Sequence, residues 1–171
     1  FLGVRECDVT LAIAEKTKQV LTERGYQVIM TRESNDVNMS WAERARLAEK
    51  SGAGALIHIQ AHSQESTSVT GVLASCQSSR NPYNGDLASE SYALSSCIAG
   101  SVSQAAGAKN RGVKQTDTSS EINWSQVPVT SLETGFLSNQ QEELLLSQEE
   151  YQSQIAVGIA DGLDQFFAGR R

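Results

Sequence analysis

A carboxylate closes the apolar run Val127-Pro128-Val129-Thr130-Ser131-Leu132: Glu133, followed at once by the turn residues Thr134-Gly135. A strand end is where α/β folds keep their chemistry, and an acid mounted there is displayed by a rigid element. Strand parity puts Val129, Ser131 and Glu133 on one face and Thr130 and Leu132 on the other. Such a mount suits a general base, although a strand-end Glu also serves by pairing with an Arg or by capping the next turn. Three further groups have chemistry to offer. Glu6 stands just before an apolar-periodic segment, and His58 and His62, the chain's only two histidines, alternate with Gln60 along Leu56-Ile57-His58-Ile59-Gln60-Ala61-His62. Two imidazoles and one carboxylate are the donors of a hydrolytic zinc site, with a fourth position left for water. The simpler roles are a core imidazole bonded to backbone for His58 and a dipole-compensating acid for Glu6.

Helices and strands must alternate to bring these groups together. Val9, Ile13, Val20 and Leu21 make one face of a helix over about 8–24, with Gly25 as its left-handed stop. Residues 26–31 read as a strand. Ser40-Trp41-Ala42-Glu43 has the capping-box pattern and starts a helix through Lys50. The near-continuous apolar run over 55–61 suits a strand covered on both faces. A shorter strand follows over 71–76, and Leu94, Ile98, Val102 and Ala105 space a long helix ending near Gly107. Val113 to Thr116 forms a short strand. Ser147-Gln148-Glu149-Glu150 repeats the capping-box pattern, with Leu146 and Tyr151 as its staple, ahead of a last helix buried through Ile155, Ile159, Leu163 and Phe166. The alternation predicts an α/β fold: one domain over 1–171, an open, mostly parallel sheet with helices on both faces.

Composition narrows the function. A chain of 171 residues with a net charge of −6 and no Lys/Arg cluster is not built to neutralise a phosphate backbone, so nucleic acid is not expected as a partner. No apolar run is long enough for membrane insertion. Cys7, Cys76 and Cys97 are odd in number and lack metal-type spacing, so at least one thiol is free. No charged-then-apolar leader is readable before Phe1.

Glu6-Cys7-Asp8-Val9-Thr10-Leu11, Gly25-Tyr26-Gln27-Val28 with Thr31-Arg32, Arg44-Ala45-Arg46-Leu47-Ala48, Arg111-Gly112-Val113 and Leu132-Glu133-Thr134-Gly135-Phe136-Leu137-Ser138-Asn139 resemble the zinc-dependent N-acetylmuramoyl-L-alanine amidases of bacterial cell-wall turnover. The resemblance spans nearly the whole chain, and the glutamate ahead of Gly-Phe-Leu-Ser-Asn is its most specific part. It implies hydrolysis of the amide between N-acetylmuramic acid and L-alanine, outside the cytoplasm, at the cell wall or after secretion. It also implies zinc as cofactor, peptidoglycan or a muropeptide as substrate, and an activator protein as a further partner. Carried over by position, Glu6 is the zinc Glu and Glu133 the catalytic acid/base. The family's first strand, with its own His, lies upstream of this chain. Gln60 occupies the family's strand-end His position and His62 its Asn, leaving His62 as the imidazole offered to a metal beside Gln60. Arg44 and Arg111 are candidates for anionic groups of the substrate, with surface ion pairing as the alternative. Trp124 is a candidate for stacking at the groove rim, with packing under its loop as the alternative. Loss of metal ligands would instead leave a metal-free pseudo-amidase that binds peptidoglycan or regulates.

Overall fold

The computed structural model describes residues 1–170. Its elements in chain order are α1 (Glu6–Glu23), α2 (Trp41–Lys50), β1 (Leu56–Gln60), β2 (Val72–Cys76), α3 (Ala88–Ala106), β3 (Asn110–Gln115), α4 (Ser120–Asn123), β4 (Val129–Glu133), α5 (Gln140–Leu146) and α6 (Glu149–Ala168). The four strands form one open sheet in the order β1-β4-β2-β3. β1 pairs with β4 and β2 with β3 in parallel, while β2 meets β4 antiparallel, so two of the three pairings have the expected direction.

Alternation along the strands sorts the core into two layers. Leu132 of β4 and Val72 and Ala74 of β2 face the large cluster built with α1, α3 and α6, around Ile13, Leu94, Ile98, Ile155 and Ile159. Leu56 and Val129, of opposite parity, face the smaller cluster with Ala48 of α2 and Ile122 of α4. Helices thus cover both faces, as the apolar run over 55–61 required. α3 and α6 approach backbone to backbone. A Cβ on Gly158 would lie 2.6 Å from Val102 Cα, and one on Gly162 would lie 2.8 Å from Ile98 Cα. Any larger residue at either place would push the helices apart.

Local signals explain most boundaries. α1 stops at Gly25, which adopts φ 89°. Ser40 and Glu43 exchange both bonds of the capping box, at 3.2 and 2.7 Å, and open α2. The box expected at Ser147 is not formed. α5, which apolar periodicity did not reveal, ends just before it, so the Ser147 hydroxyl turns back to the Leu144 carbonyl at 2.6 Å and α6 starts without a side-chain cap. Leu146 and Tyr151 are nonetheless buried.

The strand expected over 26–31 is also absent as a strand. Among the described residues these have no sheet partner, and the outer edge of β1 pairs with no strand. Between them lies a slot of about 360 Å³, lined on one side by Thr10, Ala14 and Leu21 of α1 and on the other by Trp41, Arg44 and Leu47 of α2. A strand needs a neighbour to satisfy its ladder groups, and residues 26–31 have none within pairing reach among the described strands.

Candidate active site

Parallel registration of β1 with β4 sets Gln60 directly beside Glu133. Both strands end there. The chain beyond β1 swings His62 back over the strand ends, where its ring Nδ1 lies 2.6 Å from Glu133 Oε1 and its main-chain N–H donates to Glu133 Oε2 at 3.1 Å. On its other side the same ring places Nε2 3.5 Å from Glu6 Oε1. Glu6 is carried by the first turn of α1, and its Oε1 accepts the Ala61 main-chain N–H at 3.1 Å. The three residues singled out in the sequence, Glu6, His62 and Glu133, are therefore brought together, with His62 as the bridge.

Burial tunes the central acid. The Glu133 side chain is 12% exposed while that of His62 is 49% exposed, so the site opens to solvent through the imidazole. Removal from water raises the Glu133 carboxyl from its ordinary 4.5 to about 6; Glu6 and Glu121 push the same way, against the neighbouring imidazole and the His62 N–H. A carboxyl poised near neutrality can both take and return a proton. Each of its oxygens has one donor from His62, which leaves lone pairs free for a water.

His58 and Gln60, on the same β1 face, do not join this group. Both are buried, and both are tied to α4. His58 Nε2 bonds the Glu121 main-chain oxygen at 2.9 Å, and its ring meets Trp41 edge-on with centroids 5.1 Å apart. Burial holds this imidazole below its usual pKa. His58 is thus the core imidazole bonded to backbone that the strand position allowed. The Gln60 amide donates through Nε2 to Glu121 Oε2 in a short contact, and its own Oε1 is buried without a partner. Glu121 was missed in the sequence because nothing in Thr118-Ser119-Ser120-Glu121 repeats a catalytic spacing. Glu142 was missed too. It is the third residue after the N-cap Asn139, a pattern that marks a helix start, yet its carboxylate binds elsewhere: Oε1 takes the Gly71 N–H at 2.7 Å and Oε2 the Phe136 N–H at 2.6 Å.

The metal donors brought together are the two that the resemblance assigned to this chain, Glu6 and His62. Among the described residues no group of three or more His, Cys, Asp and Glu side chains is placed to hold a metal ion. Glu6 and His62 converge, but the third place, beside Glu133, holds a carboxamide already turned toward Glu121. A hydrolytic zinc takes three protein ligands, so the described residues do not by themselves fit one.

The outlying candidates separate. Arg44 lies over the Trp41 ring at 5.0 Å, donates to the Met39 carbonyl and lines the slot together with His58 and Gln60. Arg111 sits at the Glu133 end of the sheet but two strands away, reaching the Thr70 carbonyl at 3.3 Å. Neither makes a salt bridge among the described residues. Trp124, 54% exposed just after α4, is not packed under its loop. Cys7, Cys76 and Cys97 are all free. No helix of the described residues is long and apolar enough to cross a membrane.

The family model described as N-acetylmuramoyl-L-alanine amidase matches residues 2–165. The uncharacterised protein YqiI of Bacillus subtilis is 30% identical over 166 residues, covering 96% of this chain and 76% of that protein. The N-acetylmuramoyl-L-alanine amidase LytC of the same organism is 29% identical over 96% of this chain, which spans 32% of LytC. Among solved structures, the CwlD amidase of Clostridioides difficile, determined in complex with the GerS lipoprotein, superposes with a TM-score of 0.87 at 25% identity, covering 98% of this chain and 87% of CwlD.

Proposed function

The chain belongs to the N-acetylmuramoyl-L-alanine amidase family, whose reaction is hydrolysis of the amide joining N-acetylmuramic acid to L-alanine in peptidoglycan, and from that premise we propose that Glu133 carries the proton transfers of this reaction. The observation that supports it is a buried strand-end carboxyl raised to about 6 and oriented by both the ring and the main chain of His62. In its ionised form Glu133 accepts a proton from a water as that water attacks the scissile carbonyl carbon. The tetrahedral intermediate collapses when the same carboxyl returns the proton to the departing amine of L-alanine. His62 fixes the carboxylate's direction throughout. Residues 1–171 would act as one catalytic domain, working on muropeptide or intact peptidoglycan outside the cytoplasm, at the cell wall or secreted. An activator protein is a partner suggested by the CwlD–GerS complex.

Zinc is the cofactor the family points to, and Glu6 and His62 are the residues here that would share it. They are two of the three protein ligands that a hydrolytic zinc takes. Substitution of Glu133 by Gln tests the proton role: muropeptide hydrolysis is expected to vanish with folding intact, and full turnover in that variant would falsify it. The Gln60–Glu121 bond favours a second reading, in which the protein binds peptidoglycan without cleaving it. Zinc per chain, by elemental analysis, together with hydrolysis of purified sacculi, separates the two. One zinc and released peptide support the amidase; no zinc and binding without release support the silent protein.

A further inference from the structure

A second carboxylate, Glu121, stands beside Glu133 without a part in the proton transfers. Gln60 and Glu133 are register partners on parallel strands, so their side chains leave the same face of the sheet with backbones about 5 Å apart. The Gln60 amide donates to Glu121 Oε2, which brings that carboxylate within one side chain's reach of Glu133. The closeness is felt electrostatically as well, since Glu121 is one of the charges that push the Glu133 carboxyl up.

This placement is held from three sides. His58 Nε2 bonds the Glu121 main-chain oxygen at 2.9 Å, and the next residue, Ile122, is fully buried in the cluster with Ala48, Leu56 and Val129. The third hold is Gln60 itself. It is 7% exposed, and its Oε1 is buried without a partner, so the amide is turned to fix Glu121 while its own oxygen goes unsatisfied. Glu121 is only half-buried, and among the described residues its Oε1 takes no hydrogen bond and neither of its oxygens meets an Arg or Lys. An oriented acceptor is thus left open next to the acid of the reaction.

The open acceptor selects the substrate group that faces it. Glu6, Glu121 and Glu133 surround this end of the site with carboxylates, an environment that repels the carbonyl oxygen of the scissile amide and attracts its N–H. That N–H is the donor carried by the reacting bond. When water attack makes the carbonyl carbon tetrahedral, the nitrogen regains a basic lone pair on the side away from its N–H. Glu133 delivers its proton to that lone pair, and the C–N bond then breaks with its electrons staying on the nitrogen of the departing amine. The nitrogen is most positive between those two events, so a carboxylate on its N–H binds the transition state more strongly than the ground state.

We propose that Glu121 is a specificity-determining residue whose free Oε1 accepts the N–H of the scissile amide while Glu133 protonates the same nitrogen. This rests on the amidase reading above and adds to it a requirement for a secondary amide.

Two substrates test it: a muramoyl dipeptide joined through L-alanine, and its counterpart joined through N-methyl-L-alanine, which lacks the N–H. The native chain should prefer the first. Glu121→Ala should lower kcat on the L-alanine substrate about tenfold or more, the size of a hydrogen bond to a charged group, with little change in KM. The same substitution should leave the N-methyl substrate unaffected, so the preference collapses. Glu121→Gln, which keeps the side-chain length and an amide oxygen, should retain part of the preference and stands in where the alanine variant does not fold. A Glu121 that serves only to hold Gln60 would slow both substrates by the same factor. That result, or a preference equal in native and variant chains, overturns the assignment and leaves the amidase standing. A native chain that cleaves neither substrate overturns the amidase reading, and the N–H role with it.

Discussion

Glu133 and Glu142 are two buried carboxylates nine residues apart, on either side of one turn, and burial raises the pKa of both. Their partners divide them. Each oxygen of Glu142 is taken by a main-chain N–H, from Gly71 ahead of β2 and from Phe136 in the turn after β4, so the carboxylate staples two backbone segments. Glu133 has one such bond and one to an imidazole that is half in solvent. Backbone donors cannot leave or change protonation; an imidazole can do both. Residue type and burial therefore do not tell the proposed proton carrier from the staple; the exchangeability of the partner does.

That contrast can be broken by swapping the expected consequences. Glu133→Gln is expected to lower kcat by about 10³-fold, within the range for loss of a general acid–base, with little change in Tm. Glu142→Ala should do the reverse, destabilising by roughly 3 kcal/mol because two buried N–H groups lose a charged acceptor, a fall in Tm of about 6–12 °C. If thermal melts show Glu133→Gln to be the less stable variant, the division fails. Removing the Glu121 side chain sharpens it further: Gln60 would lose the bond its side chain makes among the described residues, for roughly 1–2 kcal/mol by chemical denaturation, with kcat reduced less than by Glu133→Gln.

Acidity gives the most diagnostic effect. With Glu133 required as a base, kcat/KM should fall tenfold per pH unit below about 6, and an acid limb near 4.5 would show that burial does not tune it. The linkage has a definite sign. Because the folded pKa of Glu133 is raised, the folded chain holds more protons than the unfolded chain between 4.5 and about 6. Glu133 therefore contributes stability as pH falls through that window, on the order of 2 kcal/mol, and denaturation midpoints across it should show this component missing from Glu133→Gln.

Much of this fold is written in short-range signals. The capping box at Ser40, the stop at Gly25 and the spacing of Leu94, Ile98 and Val102 each encode an element through bonds or burial within a few residues. The losses are long-range. Residues 26–31 have strand composition, but a strand is defined by its neighbour, and no described strand pairs with them. Ser147 has the right spacing for an N-cap and is used by the helix before it. In the site, Glu133 and Glu6 were legible because they occupy element ends. The bridging role of His62 depends on how the chain turns after β1, and Glu121 becomes visible only once α4 is folded over Gln60. Neither fact has a local signature.

The glycines of α6 carry a mechanical consequence. With Gly158 and Gly162 seated against the main chain of α3, no side-chain layer separates the two helices at these points, so α3 and α6 are expected to move as one piece.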